Sequence, residues 1–469
     1  MNMRCLILVI FSLILFSTLT FSQSVNPAGI WQGKLSVQGT ELRIVFKIKD
    51  TLGLHATMDS PDQGGSNIPC DTVIVSATGL TIGMKSIGGQ YEGTFTNDTS
   101  IDGKWSQGGA SFPLDLHRTE KIAEVRRPQE PIPPYPYNEE DVSYPNPVAG
   151  TTLAGTLTTP KGNGPFPVVL LITGSGPQDR NEALMGHKPF LILSDYLTRR
   201  GIAVLRVDDR GVGKSTGKFA GATTKDFSTD VMAGIQFLKT RPEVDPKKIG
   251  LIGHSEGGII APMLAAESHD VAFIVMMAGT GVTGAEILDA QRALIYKAGG
   301  EPEESIKKET ALYDKAYAVL ASEPDSAVAA GKLNELFHAE MKSNSEKEDK
   351  ELGLSEDLIP VMIKELDNAW FRYFIAYDPR PALEKVTCPV LAINGEKDMQ
   401  VPPDLNLPQI EKALKEGGNN HYTIKKLPGL NHLFQTCDTG APSEYAKIEE
   451  TMSPLALQTM GDWILEQVK

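Results

Sequence analysis

Ser255 stands in Gly253-His254-Ser255-Glu256-Gly257, after an apolar run, Lys248 to Ile252, and before an apolar stretch that contains alanine, Gly258 to Glu267. A serine with glycine two residues away on each side, between a strand and a helix, sits on a turn too tight for neighbouring side chains. Such a turn lifts the hydroxyl clear of a sheet and places a helix N-terminus beneath it. The chemistry offered is nucleophilic attack on a carbonyl, and Glu256 N–H is the expected oxyanion donor.

A serine hydroxyl is a poor nucleophile at neutral pH and needs a histidine base, which in turn needs a carboxylate to fix its tautomer and stabilise its charge. The chain has eight histidines. His432 is the expected base, because Leu427-Pro428-Gly429-Leu430-Asn431-His432 follows the last apolar run in a loop free to aim a side chain. Asp398 is the expected acid, at the end of Leu391 to Asp398 after a glycine turn, with Glu396 as the alternative. Thr173-Gly174-Ser175-Gly176-Pro177 ends another apolar run. There Ser175 N–H is the expected second oxyanion donor, and Gly176 the alternate. His254 is expected to point away from the site, His421 to be structural, and His187 is a lesser candidate for touching substrate.

These residues need a frame that delivers them to one edge. Apolar runs at Val168 to Ile172, Ile202 to Val207, Ile249 to Ile252, Val271 to Met277, Val390 to Ile393 and Tyr422 to Leu427 are continuous rather than alternating. That predicts strands buried on both faces, hence a mostly parallel sheet with helical crossovers. Over a hundred residues separate Met277 from Val390, with helical patterns at 286–297, 303–320, 327–342 and 356–377, so a helical cap is expected at about 280–378. Its last helix carries Trp370-Phe371-Arg372-Tyr373-Phe374, which either lines an acyl pocket or packs the cap on the core.

Gly174 to Arg180 reads Gly-Ser-Gly-Pro-Gln-Asp-Arg, Gly253 to Gly258 reads Gly-His-Ser-Glu-Gly-Gly, and Asp208 to Ser215 reads Asp-Asp-Arg-Gly-Val-Gly-Lys-Ser. The last string ends like a phosphate-binding loop, but Asp208 stands where that loop requires its first glycine. With the order Ser255, Asp398, His432, these strings make residues 150–469 resemble the α/β-hydrolase superfamily, and within it bacterial serine carboxylesterases. The resemblance implies an α/β-hydrolase fold with a helical cap. It also implies hydrolysis of a small-molecule ester with a short or medium acyl group, through an acyl-enzyme and without metal or organic cofactor; acylated sugars fall within that class. A serine peptidase or aminopeptidase of the same fold is the alternative, for which the acidic cap residues Glu301, Glu303, Glu304, Glu309 and Asp314 could hold an amine. A glycan-binding protein with a vestigial hydrolase domain is a more distant one.

The rest of the chain frames this domain, assigned to 148–469. Residues 1–22 read as a signal peptide, with Arg4 before an apolar run from Cys5 to Phe16, so the protein is expected to be exported, periplasmic or secreted, with no membrane insertion after cleavage. Residues 23–120 alternate around glycines with turn signals, predicting an all-β accessory domain, sandwich or small barrel, in which Trp31 and Trp105 are expected as core. Residues 121–147 hold seven prolines among charged residues and read as a linker. The net charge of −14 argues against nucleic acid or anionic membrane as a partner. Beyond the leader only Cys70, Cys388 and Cys437 remain, too few for a disulfide framework, and no Cys/His set has zinc spacing.

Overall fold

The computed structural model describes residues 25–469 apart from 38–39, 52, 62–64, 77, 108–109, 122–126, 346–347 and 350–351. The expected signal peptide, residues 1–22, lies outside the described residues. The chain divides into two compact units, one built from most of the N-terminal strand region and one holding residues 123–469 together with 36–43 and 60–66.

The N-terminal unit is an antiparallel sheet. Its strands are β1 (Gly29–Val37), β2 (Thr40–Asp50), β3 (Leu54–Ser60), β4 (Gly65–Pro69), β5 (Thr72–Val75), β6 (Gly79–Met84), β7 (Gly89–Asn97), β8 (Ser100–Gln107), β9 (Ala110–Pro113) and β10 (Leu116–Thr119). They pair in the order β4-β3-β2-β1-β10-β8-β7-β6-β5, with β9 on β8. Trp31 and Trp105 are buried, so both tryptophans pack the core rather than present a ligand platform. Gly93 and Gly103 are needed beneath Tyr91, whose ring would meet a Cβ at either position.

The larger unit is a sheet of eight strands: β11 (Asn138–Asn146), β12 (Thr151–Thr159), β13 (Phe166–Ile172), β14 (Ala203–Val207), β15 (Val244–His254), β16 (Phe273–Met277), β17 (Val390–Gly395) and β18 (Tyr422–Leu427). The order is β11-β12-β14-β13-β15-β16-β17-β18. From β14 to β18 every pairing is parallel, whereas β11 and β12 join antiparallel. It is an α/β-hydrolase fold with helices on both faces.

Successive residues of the central strands enter two different cores. Val169 and Leu171 pack in one cluster with Phe190 and Ile259, while Val168, Leu170 and Ile172 pack in the other with Ile235 and Leu264. A strand with a core on each side must be apolar at every position, which is why these runs do not alternate.

β11 begins inside the stretch read as a linker. It is an edge strand with Glu139, Glu140, Asp141 and Ser143 exposed and Val142 and Tyr144 buried, so its few apolar residues are diluted by charge and by Pro145.

Between β16 and β17 lie helices Gly284–Gly299, Glu303–Ser322, Ser326–Ser343, Ile359–Leu366 and Ala369–Ala376. They carry a core of their own around Leu312, Leu333, Phe337 and Ile359. The helix expected over 356–377 is broken at Asn368, whose extended backbone and side chain cap the last helix by accepting Phe371 N–H. Among the described residues no helix is long and apolar enough to cross a membrane.

Candidate active site

β15 ends at His254 and the helix Gly257–Glu267 starts three residues later. Ser255, between them, has φ +53°, a left-handed conformation that costs a residue with a Cβ about 1 kcal/mol or more. The flanking glycines explain how the turn fits. A Cβ on Gly253 would strike the carbonyl of Gly257, one on Gly257 would strike that of Ile172, and one on Gly258 would meet Gly279 Cα at 2.6 Å.

Asp398 and His432 come from the loops after β17 and β18. His432 Nδ1 lies 2.8 Å from Asp398 Oδ2, and both side chains are buried. The other carboxylate oxygen accepts Gln400 N–H and Val401 N–H, each at 2.8 Å, so Asp398 is held on both sides. Asn431 braces the base loop by accepting Leu433 N–H and Gln435 N–H at 3.0 and 2.9 Å. Gly395 lets that loop pass, since a Cβ there would strike the carbonyls of Leu430 and Asn431. Glu396 faces elsewhere and accepts Gly429 N–H at 2.9 Å.

Ser255 and His432 line one cavity of about 270 Å³, together with Ser175, Glu256, Gln291, Trp370, Phe374 and Leu433 among others. Among the described residues no hydrogen bond joins Ser255 Oγ to the His432 ring, a contact that often tightens only when substrate is bound. Of the two amides considered for the second donor, Ser175 lies on the cavity wall and Gly176 does not. Gly174 N–H is committed to Glu182 Oε1 at 2.7 Å.

The glycine loop after β13 is tied down by carboxylates. Asp209 accepts Thr173 Oγ–H at 2.8 Å and Gln178 N–H at 2.9 Å, and burial pushes its carboxyl up to about 7. Glu256, next to the serine, accepts from Thr224 Oγ1 at 2.6 Å and from the indole of Trp370 at 2.8 Å. Burial raises Glu256 above the ordinary carboxylate range. The cap aromatics divide their work: Trp370 and Phe374 stack at 5.0 Å on the cavity wall, while Phe371 joins the cap core.

One expectation about histidines is corrected, and a lesser candidate is set aside. His254 does not turn away; its ring lies against that of His432, centroids 4.8 Å apart, and borders the cavity. His187 does not reach the cavity. It is buried against Thr451 Oγ1 at 3.0 Å and the Tyr445 carbonyl at 2.9 Å, and burial pushes it down to about 4. Sequence reasoning missed the roles of Glu182 and Asp209 and the Trp370–Glu256 bond, whose partners lie 72, 31 and 114 residues apart and leave no local sign.

A family model described as X-Pro dipeptidyl-peptidase (S15 family) matches residues 149–423, more than half of the chain. The chain belongs to the S15 family. Among curated relatives, this S15 protein is 26% identical over 355 residues to Esterase EstD of Thermotoga maritima, covering 73% of this chain and 74% of that one. It is 26% identical over 151 residues to Esterase FrsA of an Enterobacter species, covering 32% and 34% of the two chains. Est1E from Butyrivibrio proteoclasticus, solved with ferulic acid bound, is similar at 18% identity and TM-score 0.40, over 70% of this chain and 99% of that chain. The Pyrococcus furiosus esterase Pf2001 matches at 16% identity and TM-score 0.42, over 74% and 97%.

Proposed function

We propose that this S15-family hydrolase is a carboxylesterase in which Ser255 is the nucleophile, His432 the general base and Asp398 its orienting acid. Ser255 Oγ attacks the ester carbonyl as His432 takes its proton, and the backbone N–H groups of Ser175 and Glu256 hold the oxyanion. His432 then returns the proton to the leaving alcohol. Water, activated by the same imidazole, attacks the acyl-enzyme, releasing the acid and restoring the serine. The observation that carries the reading is the buried His432–Asp398 contact of 2.8 Å beside a serine held at φ +53° on the same cavity.

The substrate class follows from the wall. Trp370, Phe374, Ile287, Leu288, Leu184 and Leu433 are apolar, and among the described residues no lysine or arginine lines the cavity. Neutral short or medium acyl groups fit such a wall, and acylated sugars remain within the proposal. The N-terminal residues 1–22 make export to the periplasm or medium part of it.

The peptidase alternative takes its support from the family name. An aminopeptidase needs a carboxylate open to a substrate amine, but Glu182 and Glu256 are each engaged by protein donors, and the acidic cap residues do not line the cavity. Steady-state hydrolysis of p-nitrophenyl acetate and butyrate against aminoacyl and X-Pro p-nitroanilides tests the choice. Ester turnover exceeding amide turnover by orders of magnitude is the expected outcome; the reverse ranking makes the protein a peptidase.

A further inference from the structure

His254 and Glu182 take no part in the steps above, yet they form a buried contact beside them, with side chains 7% and 6% exposed. Glu182 Oε1 lies 2.9 Å from His254 Nδ1 and accepts Gly174 N–H at 2.7 Å. On the opposite side of the ring, His254 Nε2 lies 3.1 Å from the main-chain oxygen of His432. Each ring nitrogen therefore faces an acceptor. A neutral imidazole has one N–H and one lone pair, so it would set a lone pair against an oxygen at a buried position. An imidazolium donates to both.

The pair spans three segments: the glycine loop through Gly174, the elbow through His254, and the base loop through the His432 carbonyl. Glu182 is held at φ +51°, an uncommon backbone for glutamate, which places its carboxylate between the first two. The titratable groups facing the ring are Glu182, His432 and, beyond it, Asp398, while Phe434 closes the remaining side at 6.4 Å. Burial works against the cation, but the Glu182 and Asp398 charges outweigh it and hold His254 above the ordinary histidine range.

We propose that His254 is a positioning residue that works as an imidazolium: clamped by Glu182, it fixes the His432 main chain and, through Glu182, the Gly174 amide, so that one ion pair sets both the base and the oxyanion loop. The kinetic consequences rest on the esterase reading; the charge on the ring does not.

Loss of the His254 proton removes one of its two donors, which gives kcat an alkaline limb. Glu182→Gln removes the opposing charge and moves that limb to lower pH. It lowers kcat on the order of tenfold to a hundredfold through misplacement of the reacting groups, with KM changed far less. Glu182→Asp, with the charge on a shorter arm, restores part of kcat and returns the limb toward its wild-type position. His254→Gln, which cannot titrate, lacks the limb.

The direct measurement is 15N NMR of the full chain labelled at histidine. The resonances missing in His254→Gln should show both ring nitrogens protonated at pH 7.5. A neutral single tautomer there, or Glu182→Gln with wild-type kcat and an unmoved limb, overturns the proposal. A wild-type protein that turns over no ester overturns the esterase reading instead, and the spectrum still decides the charge of His254.

Discussion

Arg180 closes on Asp208 with both sides of its guanidinium, Nε on Oδ1 at 3.0 Å and Nη2 on Oδ2 at 2.7 Å. Two strings that look independent along the chain, Gly174 to Arg180 and Asp208 to Ser215, are thus halves of one lock. Asp208 also accepts Arg180 N–H at 2.9 Å and Lys214 N–H at 3.0 Å. Despite burial, Arg180 and these amides hold Asp208 below the ordinary carboxylate range. A planar fork matched to a carboxylate is a job that lysine does not do.

Asp208→Asn takes from the half-buried Arg180 guanidinium its fork-matched carboxylate and leaves it only the exposed Asp141 as a charge partner, at 2.9 Å, a loss of about 2 kcal/mol. Thermal unfolding should show a lower Tm. Fluorophosphonate labelling of Ser255 should slow as well, because the glycine loop hangs on this lock through Gln178 and Asp209. An unchanged labelling rate in a folded variant would separate the lock from the site.

Acidification should destabilise the protein through His187. Its folded pKa of about 4 lies below the ordinary value of 6.5, so the unfolded chain binds the proton first. The stability it contributes is present above about pH 6.5 and is lost as the pH falls toward 4, at most about 3 kcal/mol. In denaturant titrations across that window, His187→Asn should be less stable at pH 7.5 and show a flatter dependence on pH; an unaltered slope would assign the acid sensitivity elsewhere.

Strain at the nucleophile gives a comparison free of the chemistry. Ser255→Ala and Ser255→Gly both lack the hydroxyl, but only glycine adopts φ +53° without penalty. Ser255→Gly should be the more stable of the two by about 1 kcal/mol in reversible denaturation. Equal stabilities would mean the elbow stores no strain at this residue.

Trp370 is the cap residue tied to the elbow, through Glu256. Trp370→Ala opens the cavity wall and should move the p-nitrophenyl ester optimum to longer acyl chains. Trp370→Phe keeps most of the ring but leaves the buried Glu256 carboxyl one donor short, and should lower kcat with little change in chain-length preference. If Trp370→Ala keeps the wild-type ranking of esters, this wall does not set the acyl limit.

What was legible in the sequence was whatever a local pattern dictates. Strands with a core on each face read as unbroken apolar runs, and the elbow glycines announce their turn because a Cβ would strike backbone there. β11 was hidden by its own exposure, since an edge strand shows water a row of acids. The break at Asn368 was masked by the aromatic helix that follows. His254 could not be placed from local pattern, because its partners, Glu182 and the His432 carbonyl, arrive from loops 72 and 178 residues away. Which ring nitrogen meets which oxygen is a tertiary fact.

The central claim concerns one hydroxyl. Wild-type protein and Ser255→Ala, incubated with a tagged fluorophosphonate and then digested for mass spectrometry, should differ completely. The wild type carries the adduct on the peptide containing Ser255 and loses its p-nitrophenyl butyrate hydrolysis in step with labelling, while the variant carries none and is inactive from the start. A Ser255→Ala protein that labels and turns over like wild type would contradict the account.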